Sequence, residues 1–86
     1  MKEEAEKEIK KMQPVIDSLK LEKKEAKELF QMTHSYFNDA KYFFEKGKFL
    51  QAFEAAVICW AYVDAGLHLG VFSINSTFSK MFTTQS

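Results

Sequence analysis

Apolar residues recur along the first quarter of the chain with the spacing of an amphipathic helix. They fall at alternating intervals of four and three residues: Ala5, Ile9, Met12, Ile16 and Leu19. This spacing places them on one face of a helix, with lysines and glutamates on the other. Pro14 lies inside the pattern, but the spacing continues through it. We therefore predict one helix with a kink near residues 10–14, rather than two short helices.

A second amphipathic stretch follows a break in register near residues 21–23, where we expect a short connection. Its apolar face is wide and rich in aromatic side chains: Ala26, Leu29, Phe30, Thr33, Tyr36, Phe37, Ala40, Phe43 and Phe44. Gly47 is predicted to end this helix in the left-handed conformation. A third helix should then run from about Lys48 to Leu69, before Gly70.

The third helix is apolar around most of its circumference. Its main stripe consists of Phe49, Phe53, Ala56, Trp60, Val63 and Leu67. The opposite side should be polar, yet beside Gln51 it carries Ala55, Ile58, Tyr62, Ala65 and Leu69. Because two neighbouring helices can cover only part of such a helix, the rest needs the C-terminal tail or another subunit. The sequence leaves both explanations open.

Short connections between long helices make neighbouring helices antiparallel. The predicted fold is therefore all-α, an up-and-down three-helix bundle with a short C-terminal tail. We place the bundle at residues 1–72 and the tail at residues 73–86. The tail is rich in serine and threonine, and we expect its apolar residues to pack back on the bundle: Ile74, Phe78, Met81 and Phe82.

Charge and cysteine content narrow the classes of function. Twelve basic residues, all of them lysines, balance twelve acidic ones. Neutrality and the lack of the guanidinium group argue against nucleic acid as a partner. The longest apolar run, Ala55–Val63, is far shorter than the ~20 residues that span a bilayer, and the N-terminus is not a secretory signal. We predict a cytoplasmic protein that does not bind membranes, with a single, buried and inert cysteine, Cys59.

Polar residues on the third helix are candidates for chemistry. Asp64 lies near the apolar stripe, where a carboxylate needs a partner, and His68 follows it at i,i+4. No further metal-ligand motif completes a site, so we predict no metal, no cofactor, no small molecule and no enzymatic activity. The alternative is a small-ligand-binding protein or enzyme that uses Asp64 and His68, with Asp39 as a third member.

The predicted function is a non-enzymatic interaction module that binds a protein partner or itself. The candidate surface combines uncovered apolar positions with nearby polar ones: Asp39, Tyr42, Ile58, Tyr62, Asp64, His68 and Leu69. Tyr42 is included because a tyrosine surrounded by polar residues can anchor a partner. An RNA-binding accessory protein, suggested only by lysines and exposed aromatic residues, ranks last.

Several short motifs resemble one known family. They are YFNDAKYF at 36–43, EKG at 45–47, AF at 52–53, DAG at 64–66 and LGVF at 69–72. Together they resemble the archaeal family named domain of unknown function 357, over about half of the chain. The resemblance implies a three-helix bundle and no activity, cofactor or catalytic residue. The family commonly has an NYAYGW-like run before DAG, where this chain has VICWAY at 57–62. An arginine is common in the family at the position where this chain has His68. A binding surface at those positions in relatives would be altered here.

Overall fold

The computed structural model describes residues 1–82 and is mostly helical. Three long helices account for most of the chain: α1 (Lys2–Ser18), α2 (Lys27–Glu45) and α3 (Phe49–His68). Short 3₁₀ helices cover Lys24–Ala26 and Ser76–Met81, and two short strands, β1 (Lys20–Leu21) and β2 (Phe72–Ser73), form a small sheet. The all-α prediction is therefore right in its helices but lacked this sheet. The last four residues of the predicted tail lie outside the described residues.

Helix α1 is continuous through Pro14, in agreement with the prediction of one helix. Its apolar face is buried as predicted, with Ala5, Met12 and Ile16 at 7% exposure or less. Pro14 itself is exposed, so the ring lies on the side of α1 that faces away from the core. The predicted kink stays a prediction.

Helices α2 and α3 are joined through a tight turn at Gly47. This glycine has a φ of 75°, and the next amide, that of Lys48, donates to the carbonyl of Phe43 at 2.9 Å. Gly70 ends α3 in the same way, with a φ of 73°. Both predicted helix ends are confirmed, because the left-handed conformation that closes a helix is open to glycine at little cost.

The core forms where α3 packs against both α1 and α2. Its buried residues come from every part of the fold: Met12, Val15, Ile16, Leu19, Phe37, Cys59, Val63, Phe72 and Phe82. The side of α3 that faces the other helices is lined mostly by small residues: Ala52, Ala55, Ala56, Cys59, Val63 and Gly66. Small side chains let neighbouring helices approach closely, so the larger apolar residues of α3 are displaced to its flanks and outer side.

The segment after α3 returns to the bundle. Strand β2 pairs antiparallel with β1, with Leu21 opposite Phe72. Farther along, Phe82 is 3% exposed and stacks on Trp60 with ring centroids 4.3 Å apart. Residues between them pack on the same core: Ile74, Phe78 and Met81. The expectation that these apolar residues pack back on the bundle is confirmed, whereas the division at residue 72/73, which β2 crosses, stays a prediction.

Candidate interaction surface

Helix α3 carries a second apolar face that points away from the bundle. Three large apolar side chains on it are solvent-exposed: Leu50 at 54%, Val57 at 44% and Ile58 at 38%. We call this side the outer face of α3 and define it by its exposed residues: Leu50, Glu54, Val57, Ile58, Ala61, Ala65 and His68. Since the buried residues already line the opposite side, α1 and α2 leave this face uncovered.

A shallow depression of about 280 Å³ lies within the outer face. It is lined by Phe53, Glu54, Val57 and Ile58. Its lining is mostly apolar, and Glu54 is the one charged residue among the four. This combination suits an apolar side chain with a hydrogen-bond donor or positive charge beside it.

The predicted surface residues on α3 have different surroundings. Ile58 and His68 lie on the outer face, and Leu69, immediately after α3, is 67% exposed. Asp64 is half-buried at the edge of this face. Tyr62 is half-buried on the flank next to α2, where its ring makes an edge-to-face contact with that of Tyr36 at 5.4 Å.

The other two predicted residues, Asp39 and Tyr42, lie on α2. Both are exposed, and Tyr42 falls on the side of α2 opposite its buried residues. The Tyr42 ring meets that of Phe43 at 5.8 Å, and the Nζ atom of Lys46 lies 5.5 Å from its centroid. Tyr42 thus belongs to a different surface from the outer face of α3.

The side of α3 that we expected to be uncovered is so only in part: Ile58, Ala65 and Leu69 are exposed, whereas Ala55 is buried and Tyr62 is half-buried. Ala55, expected on the uncovered side, is only 6% exposed and packs with Ala40 and Ala56. That expectation was wrong because the buried face follows the small residues and not the large aromatic ones. Leu50 and Val57 were missed, although Leu50, Glu54, Val57 and Ala61 repeat at intervals of four and three. The Phe82 ring stacks on Trp60, and Ile58 and Leu69 are exposed.

Cys59 lies on the buried side of α3. It is 0% exposed, and its thiol contacts the backbone carbonyl of Thr33 at 3.5 Å. Burial raises the pKa of the Cys59 thiol to about 12. Since the thiolate is the reactive form, the prediction of a buried and inert thiol is supported by the structure.

Native Cys59 is therefore expected to resist alkylation. At pH 8 the folded protein should react with iodoacetamide at least about a hundredfold more slowly than an unfolded control in urea, because both access and thiolate are lacking. Intact-mass spectrometry over time measures the rate. Modification in the native state as fast as in urea would contradict the burial of this thiol.

Asp39, Asp64 and His68 are the residues predicted for the alternative role in ligand chemistry. Within residues 1–82, no group of three or more histidine, cysteine, aspartate or glutamate side chains is placed to hold a metal ion. A second depression, of about 250 Å³, lies between the end of α1 and β2 and is lined in part by Asp17, Ser18 and Asn75. Neither depression is lined by Asp39, Asp64 or His68.

By length and composition alone, α3 also meets the criteria for a membrane span. Its most apolar window has a mean hydropathy of 1.2, and 33% of that window is buried inside the bundle. In the part of the chain that the structure describes, this is the one helix that does so. Core helices of water-soluble bundles meet the same criteria, so this is weak evidence for a membrane.

Comparisons with known proteins identify the family to which the chain belongs. A family model described as "Protein of unknown function (DUF357)" matches residues 2–72, from the start of α1 to β2. The crystal structure of protein AF1782 from Archaeoglobus fulgidus, of the same family, is similar with a TM-score of 0.75. The match covers 86% of this chain and 92% of that one, at 24% sequence identity, and shows a shared fold. The comparison with curated proteins gives no match.

The family match is broader than the motifs suggested, since it takes in α1 as well as the α2–α3 hairpin. The resemblance noted in the sequence is confirmed, and with it the fold is shared with an archaeal protein. Neither match carries an activity. The chain belongs to the DUF357 family of proteins of unknown function.

Proposed function

We propose that this chain is a cytoplasmic, non-enzymatic interaction module that binds protein through the outer face of α3. In this proposal the three helices run up and down, because the connections between consecutive helices are short, residues 19–26 between α1 and α2 and residues 46–48 between α2 and α3. The observation that carries the proposal is the exposure of Leu50, Val57 and Ile58 on one side of α3.

Burial of the outer face by a partner would explain why α3 is apolar on both sides. Packing against α1 and α2 uses its small residues, so the core does not require the large apolar ones on the outside. A solvated helix face is ordinarily filled by lysine, glutamate and other polar residues, as the outer side of α1 is. Apolar residues grouped on an uncovered face are typical of protein–protein contacts.

Two features favour a protein partner over a lipid surface. Glu54 lies in the middle of the apolar positions, and a carboxylate is costly at hydrocarbon depth. Lysine and arginine, which would face anionic lipid headgroups, are missing from the outer face of α3, since its polar residues are Glu54 and His68.

A photocrosslinking amino acid at Val57 tests the proposal. Irradiation of the protein, both purified and in lysate of the native host, should give discrete heavier products, because the Val57 side chain is 44% exposed on the outer face. A matched variant with the crosslinker at Asn38, which is exposed on α2, should give none. The added charge of Ile58→Glu should reduce the Val57 products at least about tenfold while stability changes by less than about 0.5 kcal/mol. Equal products from positions 57 and 38 would contradict the proposal.

A further inference from the structure

The outer face of α3 has a pattern of polar residues that matches a reversed copy of itself. Leu50, Glu54, Val57, Ala61 and His68 fall within about 60° of arc on the helix. Glu54 precedes Ala61 by seven residues and His68 follows it by seven, which is about 10.5 Å along the axis in each direction. The two polar residues are thus symmetric about Ala61.

This symmetry separates the two ways in which two copies of α3 can meet. In a parallel pair, Glu54 would face Glu54 of the second copy, which is a like-charge contact. In an antiparallel pair with a two-fold axis at Ala61, Glu54 faces His68 of the second copy, and the contact occurs twice. An imidazole N–H donates to a carboxylate whether the ring is neutral or charged. The antiparallel pair therefore gains two hydrogen bonds and avoids the like-charge contact, which favours it over the parallel pair.

The apolar residues agree with the same register. At the axis, Ala61 faces Ala61 of the second copy, and this small side chain lets the two helices approach closely. One step outward, Val57 is level with Ala65 of the second copy, which sets a large side chain against a small one. The arrangement also brings the exposed Leu50 end of one helix beside the exposed Leu69 end of the other.

We propose that the partner bound by the outer face of α3 is a second copy of this chain, in an antiparallel α3–α3 contact centred on Ala61 and fixed by two reciprocal Glu54–His68 pairs. The inference rests on the proposed function, of which it names the partner. The antiparallel pair gives Glu54 and His68, the two polar residues of the face, a role that an apolar docking surface alone would not require.

Sedimentation velocity on the purified full chain tests the dimer. The wild type should sediment with twice the 10.0 kDa mass of the chain and dissociate on dilution. His68→Glu, which places carboxylates opposite each other at both ends, should raise the dissociation constant at least about tenfold. The swapped variant Glu54→His/His68→Glu should restore it to within about threefold of the wild type, because each pair re-forms between copies. Glu25→His, an exposed change outside the face, serves as the matched control and should have no effect.

The outcomes separate this inference from the proposed function. A monomer at millimolar concentration, or a dimer whose affinity the charge swap does not rescue, overturns the antiparallel pair. If crosslinking from Val57 then captures a different protein, the interaction module stands and only the self-pairing fails. Sedimentation of the wild type with vesicles of phosphatidylcholine and phosphatidylglycerol, abolished by Val57→Glu, would overturn both.

Discussion

Replacing Gly66 by alanine is expected to destabilise the protein, although the same change in the interior of an ordinary helix would stabilise it. A Cβ atom at position 66 would overlap the ring of Phe72, which has three of its atoms within 3.0 Å of the Cβ position. The ring has little room to move, because it is 3% exposed and makes an edge-to-face contact with Phe30 at 5.5 Å. Overpacking of about 1–3 kcal/mol or more should exceed the gain in helix propensity of about 1 kcal/mol.

Urea denaturation measures this effect, and we expect a net loss of about 2 kcal/mol in the free energy of unfolding. In a background carrying Phe72→Ala, Gly66→Ala should instead stabilise by about 1 kcal/mol, because only the propensity term remains. The exposed neighbour supplies a second control, since Ala65→Gly should cost only about 1 kcal/mol. A Gly66→Ala protein that is more stable than the wild type would show that α3 and β2 do not pack this closely.

Replacing Phe82 by alanine should reduce the free energy of unfolding even more than Gly66→Ala. Its ring is buried and stacked on Trp60, with an interplanar angle of 21°, so its removal leaves a cavity and exposes the indole. Losses for buried Phe→Ala changes are about 3–5 kcal/mol, a large part of the stability of a domain of this size. Thermal unfolding followed by circular dichroism should show the midpoint falling by roughly 12 °C or more.

Tyr42→Ala is the matched control for this truncation. It removes an aromatic ring that is 56% exposed, and the free energy of unfolding should change by no more than about 0.5 kcal/mol. If Phe82→Ala were equally mild, the C-terminal segment would not be part of the folded unit, and the division of the chain after residue 72 would describe it better.

Hydrophobic periodicity predicted the buried face correctly wherever one face of a helix is buried and the other is solvent-exposed. The face of α1 and both glycine helix ends followed from spacing and from the special backbone of glycine. The small sheet did not, because a strand of two residues is too short to show alternation. Pairing of Leu21 with Phe72 depends on contacts between residues distant in sequence, which local patterns do not encode.

The candidate surface was harder to predict for a related reason. Residues on α3 are apolar on nearly every side, so hydrophobicity alone does not show which side is buried. Residue size was the decisive property, because close helix packing buries Ala55 and Ala56 and leaves Val57 and Ile58 outside. The polar positions Asp39 and Tyr42 were chosen for chemical type, and they lie exposed on α2, as the sequence predicted, apart from the outer face of α3.

The stacked arrangement of Lys11, Trp60 and Phe82 makes Trp60 an intrinsic fluorescent probe of the assembled fold. The Nζ atom of Lys11 lies 4.3 Å from the centroid of Trp60, and Phe82 covers the indole in a stacked contact. Trp60 is the sole tryptophan in the chain. Its emission therefore reports, without any label, whether α1, α3 and the segment that carries Phe82 are assembled. It also separates detachment of that segment from events on the outer face of α3.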